Sequence, residues 1–258
     1  MKSHLSTRGW TFGGSIDRVS SEARAVAYPG GSPKGGDPSG QDIAPNEAAA
    51  PRRVRRRPSR HVRVFRALKP VAFLLALLPF ALLVRGAFTD GLGANPIETL
   101  ELQTGRWTLR FLLLTLAVTP VRTVTGWGAL AGWRRMLGLF TFFYATMHFI
   151  TYAALDQALD LSLVVEDVIE HPYVTVGFAT WLLLIPLAVT STKGWMRRLG
   201  GKRWVALHRL IYVCAIGGTI HYLWAVKKDL RDPLLYVVIL AVLLGWRILA
   251  SRSRKRAA

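Results

Sequence analysis

Six long apolar blocks, at 70–88, 107–125, 136–155, 173–190, 204–226 and 233–250, constrain this chain more than any other feature. Each is near the roughly 20 residues that a helix rising 1.5 Å per residue needs to cross a hydrocarbon core of about 30 Å. The expected fold class is therefore an all-α integral membrane protein, a six-helix transmembrane bundle. The second block is the weakest, because Arg110 and Pro120 interrupt it. Arg110 lies near one end and can snorkel, and neighbouring helices can satisfy the backbone groups that a proline frees.

Composition fits that frame. The 258 residues are 51% hydrophobic, yet their formal net charge is +19. Lysines and arginines sit beside the apolar blocks, as membrane topology requires, so a lipid bilayer is the expected partner and nucleic acid is not. The single cysteine, Cys214, lies inside a block, which excludes a disulfide framework and a Cys-rich metal site.

Three domains are expected. Residues 1–66 form a disordered Gly/Pro/Arg-rich cytoplasmic tail, with too few large apolar residues for a core. It ends in "RRVRRRPSRHVRVFR", where eight of fifteen residues are arginine. No short apolar core with a small-residue cleavage site precedes the first block, so no cleaved signal peptide is expected. Residues 67–251 form the transmembrane domain, and 252–258 a basic cytoplasmic tail.

Loop charge sets the orientation. Arg122, Arg134 and Arg135 follow the second block, Lys193, Arg197, Arg198, Lys202 and Arg203 the fourth, and Arg252, Arg254, Lys255 and Arg256 the sixth. The loop after the third block carries Asp156, Asp160, Glu166, Asp167 and Glu170 and no basic residue. The positive-inside rule then puts both termini in the cytoplasm. "KKDLRD", 227–232, dissents by carrying three basic residues on the outer side.

Three of the six histidines lie in polar surroundings: His4 and His61 in the tail and His171 in a loop, all expected to be solvated. His148 lies on the third span, and His208 and His221 lie on the fifth. These spans run in the same direction, so depths compare directly. His208 is shallow, while His148 and His221 are both deep and can face each other at one level. Two neutral imidazoles, each offering one nitrogen, suit the two axial positions of a haem iron. A histidine bonded to a neighbouring helix is the plainer alternative for any one of them. His208 precedes His221 by 13 residues, about 20 Å along a helix axis. On an ideal helix those two rings point about 220° apart, and Gly217 and Gly218 offer a place for the winding to change. Zinc is disfavoured, because no carboxylate or thiolate accompanies the histidines within the membrane. Phe140, Phe142, Phe143, Phe149, Tyr222 and Trp224 suit a porphyrin wall and ordinary packing equally.

"GWGALAG", 126–132, has its third glycine misplaced for a nucleotide loop and no strand before it. With no flavin or nicotinamide domain in the chain, electrons have to come from another protein or from a lipid-soluble donor such as quinol.

"GLGANP", "TGRW", "RRMLGLF", "HPYVTVG" and the run "TSTKGWMRRLGGKRWVALHRLIYVCAIGGTIHYLWAVK" resemble the MsrQ family over roughly residues 68–250. These are haem-binding membrane subunits of bacterial MsrPQ methionine-sulfoxide reductase systems, within the ferric reductase and NADPH oxidase superfamily. The resemblance implies a b-type cytochrome of the bacterial inner membrane. It would carry electrons from the quinone pool or a cytoplasmic flavin reductase to a periplasmic molybdenum-containing partner, MsrP. That partner reduces methionine sulfoxide in oxidised periplasmic proteins; the membrane chain is an electron-transfer subunit. The resemblance also implies haem b, one or two, held by His148, His208 and His221, and FMN without an assigned site. NADPH-oxidase-like members carry a histidine 14 residues before the one at 148, where this chain has Arg134. A guanidinium is a poor metal ligand and a good partner for a haem propionate. Two other classes stay open: a self-contained ferric or oxygen reductase, and a non-redox membrane scaffold.

Overall fold

The structure, a computed structural model, describes residues 60–227 and 229–256. The expected disorder of residues 1–59 lies outside the described residues, and so does the position of His4. Residues 60–66, expected to belong to the disordered tail, are the first turns of helix α1 (Arg60–Phe88). Residues 252–256, expected as a separate tail, are the end of α9.

Between these lie α2 (Pro96–Thr125), α3 (Arg134–Thr151), α4 (Leu161–Glu170), α5 (Pro172–Val189), α6 (Lys193–Leu199), α7 (Gly201–His208) and α8 (Leu210–Ala225), followed by α9 (Arg231–Arg256). The described residues contain helices and no strand. Local chemistry sets several ends. Asn95 caps α2 by accepting the Glu98 N–H, Pro96 fills the first helical position, and Gly126 closes the helix at φ 71°, a left-handed turn natural to glycine. Beyond Thr151, α3 widens into one π turn, Tyr152–Asp156.

Five helical segments are long and apolar enough to cross a membrane: Arg63–Phe88, Pro96–Thr125, Gly128–Asp156, Pro172–Val189 and Arg231–Ser253. The remaining expected block, 204–226, is divided in two. The chain breaks at Arg209, whose N–H is shared between Val205 O and Ala206 O, each at 3.2 Å. The helix beyond the break, α8, has 16 residues, about 24 Å of helix. The change of winding expected at Gly217 and Gly218 is thus displaced to Arg209, and α8 runs unbroken through both glycines. Their lack of side chains instead admits neighbouring helices: a Cβ on Gly217 would collide with Thr180 Oγ1 of α5, and one on Gly218 would lie 3.3 Å from Leu109 of α2.

The centre of the bundle is α2, which packs most extensively on α3, while α8 packs on α5. Leu109, Leu112, Leu113 and Leu116 of α2 meet Ala215, Tyr222, Tyr236 and Leu240 of α8 and α9. Phe111 meets Ala76, Phe140 and Tyr144 on the other side. The outward faces of α1 and α9 are also apolar, with Leu74 66% and Val242 65% exposed. Such faces suit lipid, since the inward surfaces are already packed. Pro79 interrupts α1, and Tyr144 repairs the helix there. Its hydroxyl donates to Ala76 O at 2.8 Å and accepts the Phe80 N–H at 3.1 Å, inserting itself between two groups that would bond in an ordinary helix.

Candidate functional site

The start of α2, the end of α3, the start of α5, the end of α8 and the start of α9 meet at one end of the bundle. All ten carboxylates of the described residues, from Asp90 to Asp232, belong to the loops, to the short helix α4 or to the helix ends on this side. Here the structure brings together His148 and His221, with ring centres 6.1 Å apart and planes at 71°.

Each ring is fixed by a main-chain carbonyl on a neighbouring helix. His148 Nδ1 lies 3.0 Å from Glu101 O on α2, and His221 Nδ1 lies 2.7 Å from Tyr173 O on α5. A carbonyl only accepts, so both Nδ1 atoms carry the proton and both Nε2 atoms keep a free lone pair. A second acceptor, Thr104 Oγ1, lies 3.4 Å from His148 Nδ1. Two glycines make room for the rings. A Cβ on Gly177 would lie 2.6 Å from His221 Nδ1, and one on Gly105 would lie 3.3 Å from His148 Cε1. The histidines line a cavity of about 430 Å³ with Arg106, Phe149, Tyr173 and Tyr222. Arg106 donates to Tyr222 Oη at 3.1 Å and pairs with Asp232 at 3.2 Å.

Of the aromatic residues singled out in the sequence, Phe149 and Tyr222 line this cavity. Phe140 and Phe143 pack with Phe111 and Tyr144, Phe142 packs beside Leu184 and Cys214, and Trp224 is exposed. His171, expected to be merely solvated, is half-exposed and bonds Asp167 at 2.7 Å. Glu101, Thr104, Gly105, Tyr173 and Gly177 were not singled out by their types. The glycines carried a signal, a missing side chain within an apolar helix; the carbonyls carried none.

The other two candidate residues lie towards the opposite end. His208 closes α7; its Nδ1 bonds its own helix at Trp204 O, 3.1 Å away, and its ring stacks on Trp204 with centres 3.9 Å apart. Its buried Nε2 has no partner among the described residues. Arg134, at the start of α3, donates to Thr119 Oγ1. Neither joins the His148–His221 pair. Among the described residues no group of three or more His, Cys, Asp or Glu is placed to hold a metal ion. Two facing imidazoles suit a centre whose other ligands come from elsewhere, such as a macrocycle.

A bundle of apolar helices with imidazoles paired across it defines a class of integral membrane protein, and the family comparison agrees: residues 104–219 match the "Ferric reductase like transmembrane component". More particularly, the chain belongs to the MsrQ family. It is 51% identical over 183 residues to "Protein-methionine-sulfoxide reductase heme-binding subunit MsrQ" of Herminiimonas arsenicoxydans, covering 70% of this chain and 84% of that one. To proteins of the same name it is 48% identical in Xanthomonas euvesicatoria, covering 74% and 89%, and 50% identical in Ralstonia nicotianae, covering 71% and 85%.

Proposed function

We propose that this chain is a membrane b-type cytochrome that passes electrons to a methionine-sulfoxide reductase partner, with haem held between His148 and His221. The observation that carries the reading is that pair. Two imidazoles bound to one metal at about 2 Å each hold their ring centres about 6 Å apart, and these rings stand at 6.1 Å. The residues fit the group in two further respects. The Nδ1 bonds to Glu101 O and Tyr173 O orient both rings as outer partners orient metal-bound histidines, and Gly105 and Gly177 leave a cradle that a methyl group would fill.

When bound, haem supplies a one-electron couple. The chain's own residues hold the rings in one tautomer, His148 and His221 would hold the iron, and Phe149, Tyr173 and Tyr222 surround the site. An iron held by both imidazoles would have no vacant site for a small substrate, which favours electron passage.

Charge and burial carry the finer reading. α8, packed along α5, completes a sixth span. The basic loops face the cytoplasm with both termini, and the acidic end faces the periplasm across the bacterial inner membrane. Electrons enter from the quinone pool or a cytoplasmic flavin reductase near His208 and leave by the acidic end towards a periplasmic MsrP-like molybdenum reductase. The His148–His221 pair accounts for one haem; a second would have to use His208, whose ring is stacked on Trp204, together with Arg134, which is engaged by Thr119. FMN association rests on family membership.

The test uses the haem-loaded chain in sealed vesicles of fixed orientation, with a donor on the basic-loop side alone and the reductase partner on the other. Partner reduction that depends on the chain supports the reading. A chain that binds no haem, or whose haem is reduced without passing electrons across, overturns it.

A further inference from the structure

At the basic end the bundle holds hydrogen-bond donors in excess of acceptors. Arg247 of α9 donates through Nη1 to Tyr212 Oη, and through Nη2 to Leu116 O at 2.7 Å and Thr119 Oγ1 at 3.2 Å. Arg134 of α3 donates to that same Thr119 hydroxyl. Two guanidiniums from different helices therefore converge on one neutral oxygen. No carboxylate of the described residues belongs to this end, and neither arginine has an ion pair among them. Of the four buried side-chain polar atoms without a partner among the described residues, two are N–H donors on this side, Trp133 Nε1 and Arg247 Nε; His208 Nε2, whose ring carries its proton on Nδ1 against Trp204 O, keeps a lone pair.

Like charges brought together beside lipid, with donors left over, require a counter-charge rich in acceptor oxygens. Arginine forks match tetrahedral oxyanions by paired N–H···O bonds, and a phosphate offers enough oxygens to serve two forks at once. Arg134 is exposed and Arg247 half-buried, so the pair is reached from the membrane surface at this end.

We propose that Arg134 and Arg247, organised by Thr119 and Tyr212, form a binding site for a phosphate group on the basic-loop side. The phosphate is that of an anionic phospholipid of that leaflet, and it would pin α3 to α9 at the membrane surface. The site does not depend on how haem is held, and its test is separable from that reading.

The test compares the full-length protein with R134Q, R247Q and the double variant, reading haem content first. Each protein is extracted from membranes containing phosphatidylglycerol, and retained lipid is counted by native mass spectrometry. Retained phosphatidylglycerol lost by about tenfold or more in the double variant supports the site. R247K should keep part of the signal, because the charge remains and the fork does not. If retained lipid does not distinguish wild type from the double variant, the site does not exist. If the double variant loses haem together with the lipid, the arginines serve a haem carboxylate and the proposal falls.

Discussion

The two ends of the bundle solve the problem of polar groups in an apolar protein in opposite ways. At the acidic end, His148 and His221 bond carbonyls on other helices, and the cavity they line is walled by α2, α3, α5 and α8. At the basic end, His208 bonds its own helix at Trp204, and Arg134 and Arg247 share a hydroxyl. One end is closed around a pair of oriented lone pairs; the other leaves donors open. The difference teaches that a histidine's role in a membrane depends less on its depth than on whether a second helix fixes its ring.

That contrast can be broken. The largest effect should come from Gly177→Ala. Its Cβ would meet His221 Nδ1 and Cε1 at 2.6 and 2.7 Å, so the ring must leave its carbonyl. Haem affinity should fall by about tenfold to a hundredfold, in the range for lost outer-shell support, as read by haem titration of the purified chain. Unchanged affinity would mean that Gly177 does not seat the ring.

His208→Ala sharpens the comparison from the other end. The variant should keep its haem absorbance, because His208 lies outside the pair, and should lose most reduction from the basic side while still accepting electrons from a reductant at the acidic end. A normal rate from the basic side would remove His208 from the path.

A smaller effect, on stability alone, is expected for Tyr144→Phe. It orphans Ala76 O and Phe80 N beside Pro79, and should cost about 1–3 kcal/mol in a detergent or lipid unfolding assay, with spectra unaltered.

The smallest effect lies outside the spans. Hydrogen bonds from the Ser162 hydroxyl and N–H to Asp160, at the start of α4, hold this carboxyl below its usual range. A carboxyl depressed on folding stabilises above its unfolded pKa and loses that support as pH falls through its lowered value. Protection of the α4 amides, followed by hydrogen exchange, should therefore weaken only in acid and be insensitive to pH in Asp160→Ala.

Depth along parallel spans was enough to place His148 opposite His221, because helical rise is fixed and one full hairpin separates two spans that run in the same direction. The partners of those rings were illegible for a physical reason: Glu101 and Tyr173 act through carbonyls that every residue possesses. The break at Arg209 was missed because no proline or glycine marks it, and Gly217 and Gly218 were credited with bending when they serve close packing. Arg247 lay unnoticed inside the sixth block, where its polar neighbours come from α2 and α8, distant in sequence. α4 and α6 lie in stretches read only as charged loops.

The most direct measurement is the absorbance and electron paramagnetic resonance spectrum of the purified, haem-loaded chain beside His148→Ala, His221→Ala and His208→Ala. The account predicts a low-spin haem with two imidazole ligands in the wild type and in His208→Ala. Either of the other two should lose that signal and most of the bound haem. Full low-spin haem at an unchanged midpoint potential in His148→Ala or His221→Ala would contradict it.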